Sequence, residues 1–311
     1  MRVAVVGAGG VGGYFGGRLA EAGEDVVFLA RGATLEALRS RGLRVDSAAG
    51  GFTLKVRAVA SAEEAGPADV VLVAVKAWQV GEAADAIRPL VGPDTMVVPL
   101  QNGVEARDQL AAVLGEQAVV GGLCRIFAMQ AAPGHVVHAG VDPSIDFGEP
   151  DGRRSERVER LRAAFARAKG VTVSVPFDIR EALWAKFLFI APFSGVGGAT
   201  RMSAGVIRSV PEARELLLQA MREVRDVARA QGAALPDEVF DRTFGFFEKL
   251  PADATSSMQR DIIEGRPSEL EAQTGAIVRL GRAAAVPTPV NGFLYAALLP
   301  AERKARGTLP A

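Results

Sequence analysis

Six residues near the start of the chain, Gly7-Ala8-Gly9-Gly10-Val11-Gly12, constrain this sequence more than any others. They follow a short apolar run at 3–6 and open a stretch at 10–22 whose spacing predicts a helix ended by Gly23. In a GxGxxG loop between strand and helix, the first glycine permits the tight turn. The second leaves room for a pyrophosphate over the helix N-terminus, and the third lets helix and strand pack closely. Gly7, Ala8, Gly9, Gly10, Val11 and Gly12 are therefore expected to cradle a dinucleotide in an α/β domain of Rossmann type.

The rest of the first half fits a parallel-sheet domain. Residues 25–30, 69–75, 95–100 and 118–123 predict strands, with 79–90 and 105–114 as helices between them. The run DVVLVAV at 69–75 is apolar on both faces, as a central strand covered by helices must be. Residues 134–139 and 144–148 read as shorter strands, paired as a hairpin at one edge. A charged amphipathic helix follows at 153–169, then a strand at 171–175. After Pro176 the β-branched alternation stops. Helical periods take over at 179–190, 211–231, 236–249, 258–264, 269–284 and 289–299. The expected organisation is an N-terminal Rossmann-type domain over 1–176 and an all-α domain over 177–311.

Composition removes several alternatives. The 36 basic and 36 acidic side chains cancel, so nothing draws the whole chain to nucleic acid or to an acidic membrane. Arg153, Arg154, Arg157, Arg160 and Arg162 alternate with Glu156 and Glu159, a solvated helix face and not a nucleic-acid stripe. A single cysteine, Cys124, excludes an internal disulfide and reads as a small buried apolar group. His135 and His138 lie in the predicted hairpin without cysteines nearby, so they read as solvated or capping residues and no metal site is expected. The N-terminus lacks the pattern of a signal peptide, and the apolar run at 187–198 is short and broken by Pro192. A cytoplasmic protein without a membrane span is expected. Apolar faces on the later helices leave a homodimer open.

The second predicted strand bears on cofactor choice. A site for NAD usually ends that strand with an acid that accepts from the ribose hydroxyls. Here the strand runs into Arg31, whose guanidinium suits a 2′-phosphate. NADPH/NADP+ is the expected cofactor.

Further marks follow in order along the whole chain: Lys76-Ala77-Trp78-Gln79, Gln101-Asn102-Gly103, Glu181-Ala182-Leu183-Trp184-Ala185-Lys186, Ser256-Ser257-Met258 and Ser268-Glu269-Leu270-Glu271. With the glycine loop, this set resembles the ketopantoate reductase (2-dehydropantoate 2-reductase) family. The resemblance implies an NADPH-binding domain joined to a helical one, and reduction of the 2-oxo acid ketopantoate to pantoate. Lys186 matches the lysine that gives a proton to the ketone oxygen. Glu269 matches the glutamate that binds the substrate hydroxyl, and Ser257 the serine that meets its carboxylate. Lys76 and Asn102 match residues around the nicotinamide, its ribose and the substrate. The family carries asparagines four and eight residues beyond the lysine; this chain has Ile190 and Ser194 there, with Ser194 retained as a substrate-binding candidate. These departures leave open another branched or aromatic 2-oxo acid, or an NADPH-binding protein without turnover. By itself Glu269 also reads as a first-turn helix acid, and Ser257 as a helix N-cap.

Overall fold

Val3 and Val5 enter one apolar layer while Ala4 and Val6 enter another, because successive strand residues face opposite sides of a sheet. That alternation sets the plan of the first of two units into which the chain divides. In the computed structural model, which describes residues 1–309, they are Met1–Gln101 with Ala106–Ile179, and Asn102–Glu105 with the chain from Arg180 onward.

The first unit contains β1 (Arg2–Val6), α1 (Gly10–Glu21), β2 (Asp25–Leu29), α2 (Gly32–Ser40), β3 (Leu43–Asp46), β4 (Phe52–Leu54), β5 (Arg57–Val59) and α3 (Ala62–Ala65). It continues with β6 (Val70–Val73), α4 (Val80–Ala86), β7 (Met96–Pro99), α5 (Ala106–Leu114), β8 (Gly121–Arg125), β9 (Ala128–Ala132), β10 (His135–His138), β11 (Ser144–Gly148), α6 (Glu156–Arg167) and β12 (Thr172–Ser174). Five strands form a parallel sheet in the order β5-β2-β1-β6-β7, with Val3 opposite both Val26 and Val70. The chain winds outward from β1 on both sides, so the switch point of the sheet lies beside β1. Crevices beyond the carboxyl ends of strands at such a point receive ligands.

Helix α1 is pressed between two sheets. Four of its five glycines come in two pairs one turn apart. A Cβ at Gly16 would stand 2.6 Å from Val5 of the parallel sheet, and one at Gly13 only 2.7 Å from Val136 of β10. Gly12 and Gly17 repeat the pattern, facing Val5 and Leu43 respectively. The second sheet runs β4-β3-β10-β9, and a third runs β12-β11-β8. Arg18, fully buried, lays its guanidinium over Tyr14 and Phe52 and donates to the Gly50 carbonyl. Its charge is answered by Glu21 at 2.7 Å.

The second unit holds α7 (Ile179–Thr200), α8 (Ala204–Ser209), α9 (Pro211–Ala230), α10 (Asp237–Glu248), α11 (Ser257–Ile263), α12 (Thr274–Ala283) and α13 (Pro289–Ala305). Its core joins Phe187 and Leu188 of α7 to Met221 and Val224 of α9, Phe247 of α10 and Ile277 of α12. Among the described residues α7 alone has the length and apolar composition of a membrane span, with a mean hydropathy of 1.3. Its apolar side chains form this core instead. Glu223 of α9 reaches the start of α13, accepting from the backbone N–H groups of Val290 (2.8 Å) and Asn291 (2.9 Å). A neighbouring helix thus supplies the cap that Thr288 does not.

Several local expectations are corrected. Residues 134–139 and 144–148 do not form a hairpin: β10 pairs with β3 and β9, and β11 with β8 and β12. The helix expected over 79–90 is a short α4 between two 3₁₀ turns, with Pro89 in the second. α7 runs through Pro192, although that residue cannot donate to the carbonyl of Leu188. Burial of α7 on several sides outweighs one missing bond. The helix expected from 269 begins only at Thr274. His138 is buried, not solvated; Nε2 donates to the Val141 carbonyl (3.0 Å) and Nδ1 lies 2.9 Å from the Ser47 hydroxyl.

Candidate functional site

The glycine loop leaves β1 at Gly7, which takes φ +95, a backbone state that glycine adopts without strain. Its N–H donates to the Leu29 carbonyl of β2 (3.2 Å). Gly12 is the tightest position: a Cβ there would lie 2.0 Å from the Gly7 carbonyl oxygen. Gly10 is held close to Ala128 of β9, 2.5 Å from a hypothetical Cβ to its carbonyl oxygen. Ala8 is buried and Val11 half-buried. Over Gly9 the space is open: apart from its chain neighbours, none of the described residues comes within 4 Å of a Cβ position there. Among the described residues no side chain caps α1 through a hydrogen bond, so no side chain answers the positive end of the helix dipole. This helix end and its clearance fit a dinucleotide pyrophosphate.

Arg31 is the N-cap residue of α2, two positions beyond β2, and its side chain is 75% exposed. It pairs with Glu82 in the first turn of α4, Nη1 to Oε1 2.9 Å. The acid that β2 lacks is thus brought alongside by another element, which the linear sequence did not reveal. Lys76 follows β6 and is exposed. Its backbone N–H donates to Gln79 Oε1 (3.3 Å), and its ammonium sits 5.7 Å from the Trp78 ring centre. Gln101, named in the sequence only as part of a motif, fixes this region. Buried beyond β7, its Nε2 donates to the carbonyls of Val73 (2.9 Å) and Val75 (3.0 Å). The backbone leading to Lys76 is thereby tied down.

In the second unit, Asn102 and Glu269 come together: Asn102 Nδ2 lies 3.5 Å from Glu269 Oε2. Glu269 is only 7% exposed and precedes α12, so it is not a first-turn helix acid. Gly103 takes φ +148, and a Cβ there would stand 3.0 Å from the Ala272 carbonyl oxygen. Arg279 joins the two segments, donating to Glu105 Oε2 (2.8 Å), to Glu271 Oε2 (2.9 Å) and to the Glu271 carbonyl (2.9 Å). The Tyr295 hydroxyl also donates to Glu271; burial and this contact push it up to about 12.

Lys186 lies half-buried on α7, one turn before the half-buried Ile190 and two before Ser194. Ser194 is fully buried, and its hydroxyl makes no hydrogen bond among the described residues. Ser257 opens α11 but is not its cap; Ser256 is, accepting the Gln259 N–H (3.1 Å) while Gln259 Oε1 accepts the Ser256 N–H (3.4 Å). This capping box satisfies the helix end without Ser257, which remains half-buried. Among the described residues no group of three or more His, Cys, Asp or Glu is placed to hold a metal ion.

A doubly wound parallel sheet whose first loop suits a phosphate, followed by an all-helical unit, is the architecture of a dinucleotide-linked oxidoreductase. Comparison with known proteins narrows the class. Residues 3–152 match the family described as ketopantoate reductase PanE/ApbA, and residues 178–302 match its C-terminal counterpart. The chain belongs to the ketopantoate reductase family. It is 34% identical to a 2-dehydropantoate 2-reductase of Mesorhizobium japonicum, over 93% of this chain and 94% of the relative. It is 32% identical to an uncharacterized oxidoreductase, YkpB, of Bacillus subtilis, over 96% of this chain and 98% of the relative. The crystal structure of 2-dehydropantoate 2-reductase from Geobacter metallireducens superimposes with a TM-score of 0.90 at 34% identity, covering 97% of this chain and 100% of the other.

Proposed function

We propose that this chain reduces a 2-oxo acid to the 2-hydroxy acid with NADPH, and that ketopantoate is its substrate. The observation that carries the reading is the pairing of Asn102 with the buried carboxylate of Glu269. A carboxylate held away from water by protein accepts strongly from a substrate hydroxyl, and it discriminates against analogues that lack one. The relative from Mesorhizobium japonicum bears the name of that activity.

In this reading Gly7, Ala8, Gly9, Gly10, Val11 and Gly12 take the pyrophosphate, and Arg31 the 2′-phosphate. Lys76 and Asn102 serve the nicotinamide ribose and the substrate. Bound NADPH supplies the hydride to the carbonyl carbon. The protein's own part is to hold the acid and to manage charge. Lys186 donates a proton from its ammonium to the carbonyl oxygen as negative charge develops there. Ser257 donates to the substrate carboxylate, and Glu269 accepts from the hydroxyl at the far end. Ser194, buried with an unused hydroxyl, is a further polar contact.

Ile190 favours a second reading. A branched hydrocarbon on the same face of α7 as Lys186 suits a bulkier, less polar 2-oxo acid. Steady-state oxidation of NADPH with a panel of 2-oxo acids tests both. The first reading requires the highest kcat/KM with ketopantoate. A branched or aromatic acid without a hydroxyl in first place replaces it with the second. Binding of NADPH without oxidation by any member of the panel overturns both.

A further inference from the structure

The segment that carries Glu269 is itself gripped by a second buried carboxylate. Ser268, fully buried, donates its N–H to both oxygens of Glu302 (3.1 and 3.0 Å) and its hydroxyl to Glu302 Oε2. Glu302 lies near the end of α13 and is 2% exposed. Arg306, one turn further on, donates from Nε to Glu302 and from Nη2 to the Ser268 carbonyl (2.8 Å). On the other side of Glu269, the Leu270 N–H donates to the Ser268 hydroxyl (3.3 Å). The carbonyl of Glu269 accepts from Gln273 N–H (3.0 Å), and that of Leu270 from Gly275 N–H (2.9 Å). Both neighbours of Glu269 are therefore fixed, and the backbone between them has little freedom left.

Taking a carboxylate and a guanidinium out of water is a costly way to attach one helix to a loop. Apolar side chains do that work without the desolvation. What an ionic cluster adds is a fixed position, because its hydrogen bonds specify direction as well as contact. We propose that Glu302, acting through Ser268, is a positioning residue that sets the Glu269 carboxylate for the hydroxyl of the substrate. The inference rests on the reading of Glu269 given above. Glu302 touches neither substrate nor cofactor in this scheme. It governs how well the enzyme distinguishes a hydroxylated 2-oxo acid from one of the same carbon skeleton without the hydroxyl.

The test compares Glu302→Gln, Glu269→Gln and the double variant on ketopantoate and on 3,3-dimethyl-2-oxobutanoate, which lacks only the hydroxyl. Glutamine keeps the shape of Glu302 but turns an amide NH₂ toward the Ser268 and Arg306 donors. In Glu302→Gln, kcat/KM for ketopantoate should fall about tenfold to a hundredfold, mainly through KM, the worth of one charge-assisted hydrogen bond. The value for the analogue should stay within about threefold, and NADPH affinity measured by direct titration should not change, since a positioning effect acts only on the hydroxyl contact. In the Glu269→Gln background, Glu302→Gln should cause no further loss of discrimination. An equal fall for both acids, or a lower melting temperature with discrimination intact, makes Glu302 a fold residue only and overturns the proposal. If Glu302→Gln does not fold, Ser268→Ala carries the test, with a smaller loss of the same selectivity expected and an unchanged ratio again decisive against it. Unaltered discrimination in Glu269→Gln alone removes the reading of Glu269, and this inference with it.

Discussion

Asn102 Nδ2 and Glu269 Oε2 stand 3.5 Å apart although 167 positions separate them in the chain. Asn102 belongs to a four-residue excursion, Asn102–Glu105, that groups with the second unit while Gln101 and Ala106 on either side of it belong to the first. The excursion is braced at its far end by Glu105, through Arg279, to Glu271. Two acids, one arginine and a glycine therefore decide where an amide meets a buried carboxylate.

The glycine loop separates folding from binding. Gly12→Ala places a methyl against the Gly7 carbonyl, where neither backbone can yield, and should destabilise by at least the ~1–3 kcal/mol of an overpacked core. Gly9→Ala meets open space, so its melting temperature should match the parent. NADPH affinity in Gly9→Ala should nevertheless fall about tenfold or more, equivalent to ~1.4 kcal/mol. Calorimetry beside a cofactor titration checks both, and full affinity in Gly9→Ala would place the pyrophosphate elsewhere.

Arg31 and Glu82 should act on the cofactor with opposite signs. Arg31→Ala should weaken NADPH by about tenfold to a hundredfold and NADH by less than about threefold, since only NADPH carries the 2′-phosphate. Glu82→Gln releases the guanidinium from an exposed pair worth at most ~1 kcal/mol and should tighten NADPH about twofold to fivefold. Fluorescence titration of the reduced cofactors measures all of these. Equal weakening of NADPH and NADH in Arg31→Ala would show that it is no phosphate clamp.

Lys186→Ala should lower turnover by roughly 10²–10⁴-fold, the usual contribution of a positioned proton donor. Its affinity for NADPH should be little altered, because the groups assigned to the phosphates are elsewhere. Undiminished turnover would remove Lys186 as the acid.

Ile190→Asn tests whether the pocket reads polarity at that position. The ratio of kcat/KM between ketopantoate and a bulkier 2-oxo acid should shift by about tenfold or more toward ketopantoate, as gaining one buried hydrogen bond predicts. An unchanged ratio would make Ile190 ordinary packing on α7.

Tyr295 gives a pH prediction. Burial and its bond to Glu271 raise its hydroxyl from 10.0 to about 12. A group whose proton is held more tightly in the folded state contributes fully below its unfolded value, and the contribution is lost as pH rises through the folded one. The Tyr295–Glu271 bond should thus persist to pH 10 and disappear toward about 12. A phenolate absorbance titration of the parent against Tyr295→Phe isolates this step, since Tyr14 is present in both. A difference that titrates at the ordinary value would contradict the contact.

The parallel sheet was legible because β1, β6 and β7 are apolar on both faces and the glycine loop marks where the first helix begins. No strand or helix was legible over 32–68, where β3, β4 and β5 are only three or four residues long and carry too little periodicity to read. The edge strands misled for a related reason: nearness in sequence suggested that β10 and β11 pair, whereas each finds its partners in a different sheet. The helical period was legible only over 179–190, but α7 continues through Pro192 to Thr200 within the surrounding core. At the candidate site, short motifs named Asn102 and Glu269 separately. Glu82 and Glu302 were missed because their importance lies in what they bond, which no local pattern records.

Helix α1 cannot rotate or slide without driving a glycine backbone into Val5 on one side or Val136 on the other. Its N-terminus is thus aimed before any ligand arrives. An anion that docks over Gly9 meets donors already ordered by the interior, so little of the binding free energy is spent on loss of loop entropy. Affinity at that end should accordingly change little when surface loops are altered, and sharply when a side chain is added anywhere along the stripe that fixes the helix.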